Sequence, residues 1–226
     1  MSSQTVPQQE IKSHWIVHPF IGDFPISLRA LKPKGSKAGI FAKNITFLPN
    51  DYPCSDALKL AFEKAALRLN AEGHNVYCVM NRIRPDFAER GAVTDADITH
   101  RTMLLIDIDR VGDTSCPATE DEVHAAFELG ESVSQHLANL GFPKPHRVHS
   151  GNGLHIYYHL RPEPETDLVR ANVESLLKGL AAKFNNDVVG IDTSVFNASR
   201  ITKVIGTLAR KGEESEGREF RRARML

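Results

Sequence analysis

Apolar positions along this chain follow two different periods. Three segments repeat apolar side chains at helical spacing: residues 55–73, 119–141 and 166–184. Ser55 and Gly73 mark the two ends of the first, and Thr119 with Glu122 forms a capping box that opens the second. Compact apolar runs typical of strands lie at residues 27–31, 76–80, 103–109 and 188–191. Strands that alternate with three substantial helices predict an α+β or α/β domain.

Two further strands are predicted at residues 146–149 and 154–160, joined by a turn that contains glycine. This pattern is typical of a hairpin, so we expect a sheet that is at least partly antiparallel. Nearer the N-terminus, a Gly- and Lys-rich turn at residues 32–37 precedes a short apolar segment at residues 39–42.

Both ends of the chain are polar. Residues 1–12 are rich in Gln and Ser, and we expect a disordered tail there. Residues 213–226 mix Glu and Arg densely, which predicts a charged linker or the start of a C-terminal helix. The predicted domain therefore covers residues 13–212, and we expect it to be the front part of a longer protein.

The composition of the 226 residues is that of a globular protein, with 41% hydrophobic residues, 25% charged residues and no net charge. Because Lys and Arg are not in excess, a nucleic-acid surface would have to come from local clustering. Cys54, Cys78 and Cys116 lie far apart without zinc-spaced partners, so we expect free thiols and no zinc module. The sequence shows neither a signal peptide nor a membrane span, which favours a cytoplasmic protein.

Asp107 and Asp109 interrupt the apolar strand at residues 103–109. Alternate residues of a strand share a face, so both carboxylates project together while Ile106 and Ile108 pack into the core. Hard oxygen ligands of this kind suit Mg²⁺ or Mn²⁺, whose usual partner is a phosphate chain. The alternative is that the two acids only begin a turn at residues 110–113.

A second cluster surrounds the hairpin turn. Ser150 and His155 flank Gly151 and Gly153, and glycines let a backbone approach a ligand closely and offer N–H groups to phosphate oxygens. Ser150 and His155 would then bind one anion together. The alternative is a plain hairpin turn with a hydrogen-bonded histidine.

A third cluster follows the strand at residues 188–191. Asp192 is a third carboxylate at a strand end, and Arg200, Lys203 and Lys211 add cations that would neutralise a triphosphate. The alternatives are that Asp192 caps a turn and that the cations lie on a solvated face.

In this order, the three clusters resemble the catalytic core of the archaeo-eukaryotic primase superfamily, which includes the primase-polymerases. The first motif of that superfamily, Asp-x-Asp, is matched by Asp107 and Asp109. The second motif, a Ser and a His, is matched by Ser150 and His155, and the third, a hydrophobic residue followed by Asp, by Asp192.

The similarity is to the phage, plasmid and mobile-element branch and spans about residues 27–212. In that branch, an Asn, an Arg and a Gly-Thr pair follow the third Asp, as Asn197, Arg200, Gly206 and Thr207 do here. The chain departs from other members because it lacks a zinc-knuckle cysteine set.

The resemblance implies a DNA-templated nucleotidyltransferase that synthesises or extends primers in DNA replication. The superfamily uses two divalent ions, Mg²⁺ or Mn²⁺, and the carboxylates of Asp107, Asp109 and Asp192 would hold them. The residues that would hold the incoming nucleotide are Ser150, Gly151, Gly153, His155, Arg200, Lys203 and Lys211. Asn81 is a further candidate for a sugar or phosphate contact, with a loop asparagine as the alternative.

The implied fold is an α+β domain in which an RRM-like, mixed or antiparallel sheet carries the motifs and joins an N-terminal α/β unit. The implied partners are a single-stranded DNA template, NTP or dNTP substrates, and a helicase or further C-terminal domain. No membrane partner is expected.

Two other classes of function stay open. A rolling-circle replication initiator nuclease would use paired histidines and a nucleophilic tyrosine, which His155, His159, Tyr157 and Tyr158 offer. Its motif needs the two histidines one residue apart, however, and these are not. A non-catalytic RRM-like nucleic-acid-binding module is the third class, but such modules carry aromatic residues rather than carboxylates on the sheet face.

Overall fold

A computed structural model describes residues 8–18, 23–37, 39–87 and 91–226 of the chain. The helices in these ranges are α1 (Gln8–Val17), α2 (Ser55–Ala71), α3 (Glu120–Asn139) and α4 (Asp167–Phe184). The strands are β1 (Ile26–Leu31), β2 (Lys43–Phe47), β3 (Asn75–Val79), β4 (Arg82–Ile83), β5 (Ile98–Arg110), β6 (His146–His149), β7 (Leu154–Pro164), β8 (Val189–Ile191), β9 (Ile201–Lys203), β10 (Leu208–Ala209), β11 (Arg221–Arg222) and β12 (Arg224–Met225). All strand pairings among the described residues are antiparallel, and the fold is α+β, as predicted.

Two sheets build the domain. The four-stranded sheet has the order β2-β1-β3-β9, and α2 packs on it. The six-stranded sheet has the order β12-β6-β7-β5-β4, with β8 paired to the end of β5, and α3 and α4 pack on this sheet. The four-stranded sheet corresponds to the predicted N-terminal unit, and its strands are antiparallel. Its fourth strand, β9, does not come from the N-terminal part of the chain, because it follows β5, β6 and β7 in sequence.

The larger core lies between the six-stranded sheet and α3. Ile108, Leu154 and Ile156 are fully buried there against helix residues that include Val133. Gly130 of α3 faces the sheet, and a Cβ at this position would lie 2.1 Å from a methyl carbon of Leu154. The absence of a side chain thus lets the helix lie directly on the strands that carry the predicted motifs.

The helix boundaries follow the capping signals of the sequence with one exception. Thr119 Oγ1 accepts from the Glu122 N–H at 3.2 Å, and the Glu122 carboxylate accepts from the Thr119 N–H at 2.7 Å, which confirms the capping box. Ser55 is the first residue of α2, and Cys54 rather than Ser55 is its N-cap. None of the helices within the described ranges is both long and apolar enough to span a membrane.

Asn81 braces β5 at an irregularity. The register between β5 and β7 shifts between Arg101 and Met103, and the Asn81 Oδ1 accepts from the Thr102 and Met103 N–H groups at 3.0 and 3.1 Å. The Asn81 amide also donates to the Ala198 carbonyl at 2.8 Å. A shift of this kind leaves backbone N–H groups without strand partners, and the buried asparagine satisfies them.

The N-terminal third differs from the sequence prediction in two places. Residues 8–12 belong to α1 rather than to a disordered tail, because Ile11 packs into the interior with only 1% of its surface exposed. Residues 1–7 of the predicted tail lie outside the described residues. The second strand of the N-terminal sheet begins at Lys43, after the predicted apolar segment, and the Phe41 side chain is 83% exposed.

The C-terminal segment is part of the sheets rather than a linker or a helix. β12 pairs with β6 at the edge of the six-stranded sheet, and β11 pairs with β10. Between them, Ala223 is fully buried and its backbone bonds to Gly206 and Thr207 at 2.7 and 3.0 Å. The dense charge predicted a solvated segment because two-residue strands are too short to show an apolar period.

A buried ion pair joins β5 to the segment that opens α4. Arg101 and Glu165 side chains are 1% and 8% exposed, and the guanidinium donates to both carboxylate oxygens at 2.9 and 2.8 Å. The guanidinium also donates to the Phe196 carbonyl at 3.0 Å, so three separate parts of the chain meet at Arg101.

Glu165→Gln should lower the free energy of unfolding by about 3 kcal/mol, because the Arg101 charge would stay buried without its counter-charge. Urea-induced unfolding measures this change. The double variant Arg101→Met with Glu165→Gln removes the charge as well as its partner and should recover most of the loss. A single variant as stable as the unmodified protein would contradict this role.

Candidate active site

The two carboxylates of β5 lie at the floor of a cleft between the two sheets. Asp107 and Asp109 project from the face opposite to Ile106 and Ile108, which are fully buried, as the strand period predicted. The cleft encloses about 350 Å³. Its lining residues are Leu31, Lys32, Lys34, Asn75, Tyr77, Asp107, Asp109, Ser150, Asn152, His155, Lys203, Ala209, Arg210 and Lys211.

His155 stands directly across from Asp107 in the β5–β7 register. Its Nε2 lies 3.4 Å from the Asp107 Oδ1, and the two side chains are 9% and 20% exposed. Burial alone would raise the pKa of Asp107, but the His155 charge holds it below its usual value. The pKa of His155 is raised, because Asp107 outweighs the opposing effect of burial. The pair therefore favours a charged imidazolium beside a charged carboxylate.

A buried hydroxyl chain supports the other side of the His155 ring. The Tyr157 hydroxyl lies 2.9 Å from the His155 Nδ1 and also contacts the Thr202 hydroxyl. Thr202 belongs to β9 of the other sheet, so this series of hydrogen bonds links the two walls of the cleft. Burial raises the pKa of Tyr157, and the phenol stays neutral. Tyr157 and Thr202 thus fix the plane of the imidazole that faces Asp107.

Each of the two β5 carboxylates has an oxygen that could bind a cation. Asp107 Oδ1 and Asp109 Oδ1 are buried without a hydrogen-bond partner among the described residues, and the His155 Nε2 approaches the Asp107 oxygen as an ion pair at 3.4 Å. Burial and the Asp107 charge raise the pKa of Asp109 to about 6. Two buried, repelling carboxylates with free oxygens are the donor set that a hard divalent cation stabilises, so the residues present fit Mg²⁺ or Mn²⁺.

Asp192 approaches this pair through its backbone. Its N–H donates to the Asp107 carbonyl at 2.8 Å, just after β8 pairs with β5. The side chain is exposed, and its Oδ1 accepts from the Ser194 N–H at 2.8 Å. The Asp192 charge contributes to the raised pKa of Asp109, after burial and Asp107. The structure therefore brings Asp192 to the edge of the carboxylate pair, while its own oxygen also caps a turn.

The glycines of the Ser150 turn allow close packing and do not offer free N–H groups. Gly151 has φ +105°, and a Cβ on Gly153 would lie 2.1 Å from the Ile108 carbonyl oxygen and 2.6 Å from the Asp109 Oδ1. The Gly153 N–H donates to the Ser150 Oγ at 3.0 Å. The Gly151 N–H is taken as well, since it donates to a ring nitrogen of a neighbouring histidine at 2.8 Å. Gly153 lets the turn lie against β5, whereas Gly151 lets it lie against Ala209 of β10 and the Arg221 carbonyl of β11. Neither amide is left open for a phosphate.

The three predicted cations have different surroundings. Lys203 is buried, and its ammonium donates to the Asn75 Oδ1 and the Leu208 carbonyl at 3.0 Å each. Burial, with a smaller effect of Arg210, lowers the pKa of Lys203 well below its usual value. Lys211 lines the cleft, and its charge lowers the pKa of both Asp107 and Asp109. Lys203 is thus a buried wall residue, whereas Lys211 is a cation at the cleft surface.

Arg200 lies farther out. Its guanidinium donates to the Ser194 carbonyl oxygen and, at 3.4 Å, to the Ser194 hydroxyl. Its charge still lowers the pKa of Asp107, after the larger effects of burial and His155. Arg200 therefore acts on the site electrostatically from outside the set of residues that line the cleft.

The wall opposite the carboxylates was not predicted from the sequence, and one candidate residue does not line the cleft. Tyr77 of β3 lines the cleft, and burial raises its pKa to about 12. Lys32 and Lys34 also line it, and the Lys-rich turn at residues 32–37 is the sequence signal that could have indicated them. Asn81 is not among the lining residues, because its amide is used to brace β5.

No protein-family model matches the sequence, and no curated protein matches it. A search of solved structures finds the AEP domain of the cyanophage S-2L primase-polymerase, with a TM-score of 0.57 and 17% identity over 97% of this chain and 89% of that chain. The search also finds the polymerase domain of Mycobacterium tuberculosis Ligase D in complex with DNA, with a TM-score of 0.49 and 15% identity over 92% and 78% of the two chains. The similarity to the cyanophage domain shows that this chain has the fold of the archaeo-eukaryotic primase superfamily, as the order of its motifs predicted.

Proposed function

We propose that the protein is a DNA-templated nucleotidyltransferase of the primase-polymerase type, which synthesises or extends primers on single-stranded DNA from NTPs or dNTPs. The observation that carries this proposal is the pair of buried, unpartnered carboxylate oxygens of Asp107 and Asp109 in a cleft rimmed by cations. A fold shared with a primase-polymerase domain is a second, independent support.

Asp107, Asp109 and Asp192 are the residues that would hold two divalent ions, Mg²⁺ or Mn²⁺. Bound there, the ions would supply charge neutralisation for the triphosphate and activation of the attacking 3′-hydroxyl. The chain's own residues set this up before any ion binds, because β5 holds Asp107 and Asp109 on one face and the backbone of Asp192 is tied to Asp107. Preorganised charge of this kind accounts for much of the rate in phosphoryl transfer.

The remaining cleft residues would bind and orient the nucleotide. Lys34, Arg210 and Lys211 rim the cleft and would attract the triphosphate. The raised pKa of His155 keeps its imidazolium charged, and its Nε2 faces the cleft side of Asp107, where it would donate to a phosphate oxygen. The Ser150 turn would bound the nucleotide from the β6–β7 side. A helicase or further C-terminal domain as partner stays a prediction from the sequence.

The nuclease alternative is disfavoured by burial. A nucleophilic tyrosine must reach the DNA backbone, but Tyr157 and Tyr158 are each only 1% exposed. The Tyr157 hydroxyl is also committed to His155 and Thr202. The binding-module alternative leaves the energetic cost of two buried, repelling carboxylates without a purpose.

Asp107→Asn should abolish incorporation of a labelled nucleotide on single-stranded DNA, with or without a primer, because it removes a charged ligand and the partner of His155. The fold should persist, since the change also removes a carboxylate repulsion. Incorporation is measured with Mn²⁺ or Mg²⁺, and folding is followed by circular dichroism.

Asp121→Asn is the matched control, since Asp121 is an exposed acid in the first turn of α3, outside the cleft. This control should retain full activity. Retention of activity in a correctly folded Asp107→Asn variant would overturn the proposed function, and loss in both variants would point to a general defect instead.

Affinity for Mn²⁺ should fall by roughly tenfold per pH unit below about pH 6, because Asp109, whose pKa is raised to about 6, must lose its proton to bind the ion. Isothermal titration between pH 5 and pH 8 with Mn²⁺ measures this dependence. An affinity that stays constant down to about pH 5 would show that Asp109 is not a ligand.

Without divalent ions, the free energy of unfolding should fall as the pH rises, whereas the affinity for Mn²⁺ rises with pH. The folded-state pKa of Asp109 lies above the unfolded value of about 3.9. The contribution of this group to the free energy of unfolding is therefore fully present below about pH 4, and it is lost as the pH rises through about 6. Asp109→Asn should therefore raise the free energy of unfolding by about 2 kcal/mol at pH 7, with little change at pH 4. A variant that is less stable than the unmodified protein at pH 7 would contradict this reasoning.

Tyr157→Phe should lower kcat by roughly 10- to 100-fold with a smaller change in KM, because the His155 ring would lose the hydroxyl that orients it. The pH profile of kcat should shift as well, which a purely structural defect would not produce. Tyr158→Phe is the matched control on the adjacent position and the opposite face of β7. An equal decrease of kcat in the two variants would contradict the positioning role of Tyr157.

A further inference from the structure

Two histidines and a cysteine meet behind the cleft, where the proposed reaction does not use them. His14 lies in α1, His18 directly follows the last residue of that helix, and Cys78 lies in β3. The Cys78 Sγ is 3.2 Å from the His14 Nε2 and 3.1 Å from the His18 Nε2. All three ligand atoms lie within 4.8 Å of one another, and the side chains are 0%, 6% and 0% exposed for His14, His18 and Cys78.

We propose that His14, His18 and Cys78 form a structural binding site for a transition-metal ion of the Zn²⁺ class. A tetrahedral Zn²⁺ holds imidazole nitrogen at about 2.0–2.1 Å and thiolate sulfur at about 2.3 Å, which separates the two ligands by about 3.5 Å. The observed separations are slightly shorter, so a small outward movement of the side chains would admit the ion. The fourth position would be taken by water or another ligand.

The ligand chemistry separates this site from the carboxylate cleft. Thiolate and imidazole are soft or borderline ligands, which select Zn²⁺ over Mg²⁺. Asp107 and Asp109 offer hard oxygen ligands, which suit Mg²⁺ and Mn²⁺. One protein can therefore hold two kinds of ion at once, and each site can be removed by mutation without touching the other.

Binding of the ion has a defined proton balance. In the hydrogen-bonded form, the His14 Nδ1 accepts from the Ile205 N–H at 3.3 Å, so the His14 Nε2 carries the ring proton and donates it to Cys78. Ligation of the ion by Nε2 moves that proton to Nδ1, so Nδ1 can no longer accept from the Ile205 N–H. The 3.3 Å contact with Ile205 is lost, and a bond between Nε2 and the metal replaces it. The Cys78 thiol becomes a thiolate, and its proton is released to solvent.

The position of the cluster gives the ion a structural role. Cys78 belongs to the four-stranded sheet, whereas the Ile16 carbonyl of α1 contacts the His159 Nε2 of the six-stranded sheet at 3.0 Å. An ion held by α1 and β3 would fix the helix between the two sheets that form the cleft. Tyr77, which lines the cleft, is the residue next to the Cys78 ligand.

The test uses Co²⁺ and Zn²⁺ with EDTA-treated protein in which Asp107→Asn and Asp109→Asn have removed the carboxylate site. One equivalent of Co²⁺ should bind and produce a thiolate-to-metal charge-transfer band in the near ultraviolet, and Zn²⁺ should displace it. Cys78→Ser should abolish the band, and His18→Gln should weaken binding by at least about a hundredfold. Cys54→Ser, which removes an exposed thiol elsewhere, is the matched control and should leave the band unchanged.

Absence of the band, or unchanged Co²⁺ affinity in Cys78→Ser, would overturn the proposal. Because Cys78 is in the core, its variant can also fail to fold, and a second measurement covers that case. Zn²⁺ added to the carboxylate double variant should raise its thermal unfolding temperature, whereas no rise would overturn the proposal. Neither result depends on nucleotide incorporation, so the site and the proposed activity are tested separately.

Discussion

Asp107 and Asp109 are held on one face of a single strand although their charges repel each other, and burial strengthens that repulsion. β5 can hold them because it is paired to β7 along most of one edge, and to β4 near its start and β8 at its end on the other edge. The strand therefore cannot twist away to separate the charges. His155 and the cationic rim offset part of the cost, and the rest remains as free energy that a bound cation would release.

Close packing around β5 depends on positions where a side chain is missing. Gly130 lets α3 lie on the core face of the strands, and Gly153 lets the Ser150 turn lie against the carboxylate end. With β5 enclosed from both faces, the oxygens of Asp107 and Asp109 are left open only toward the cleft. The pairing that restrains the repulsion and the packing that excludes solvent thus act on the same few residues.

The sequence predicts the parts of the site whose geometry is local. Strand alternation places Asp107 and Asp109 together, whereas His155 comes opposite Asp107 only through the non-local pairing of β7 with β5. Tyr77 could not be placed this way, because its approach depends on how two sheets pack. The role of Asn81, a candidate nucleotide contact or a loop asparagine from the sequence, could not be read for the same reason, since the shifted register that it satisfies forms only when β5 meets β7. The C-terminal strands were missed because each contains only two residues, which is too short to show an alternation of apolar and polar positions, and because most of these residues are charged.

The strand order β2-β1-β3-β9 has a consequence for how the protein folds. β3 ends at Val79, but its partner β9 begins at Ile201, so the four-stranded sheet cannot be completed until most of the chain has been synthesised. Such distant pairings are slow to form, because a long loop must be closed before any contact rewards it. Thr202, which supports Tyr157 and His155, arrives with that last strand. A nascent chain therefore carries both carboxylates long before β9 arrives to complete the cleft that contains them.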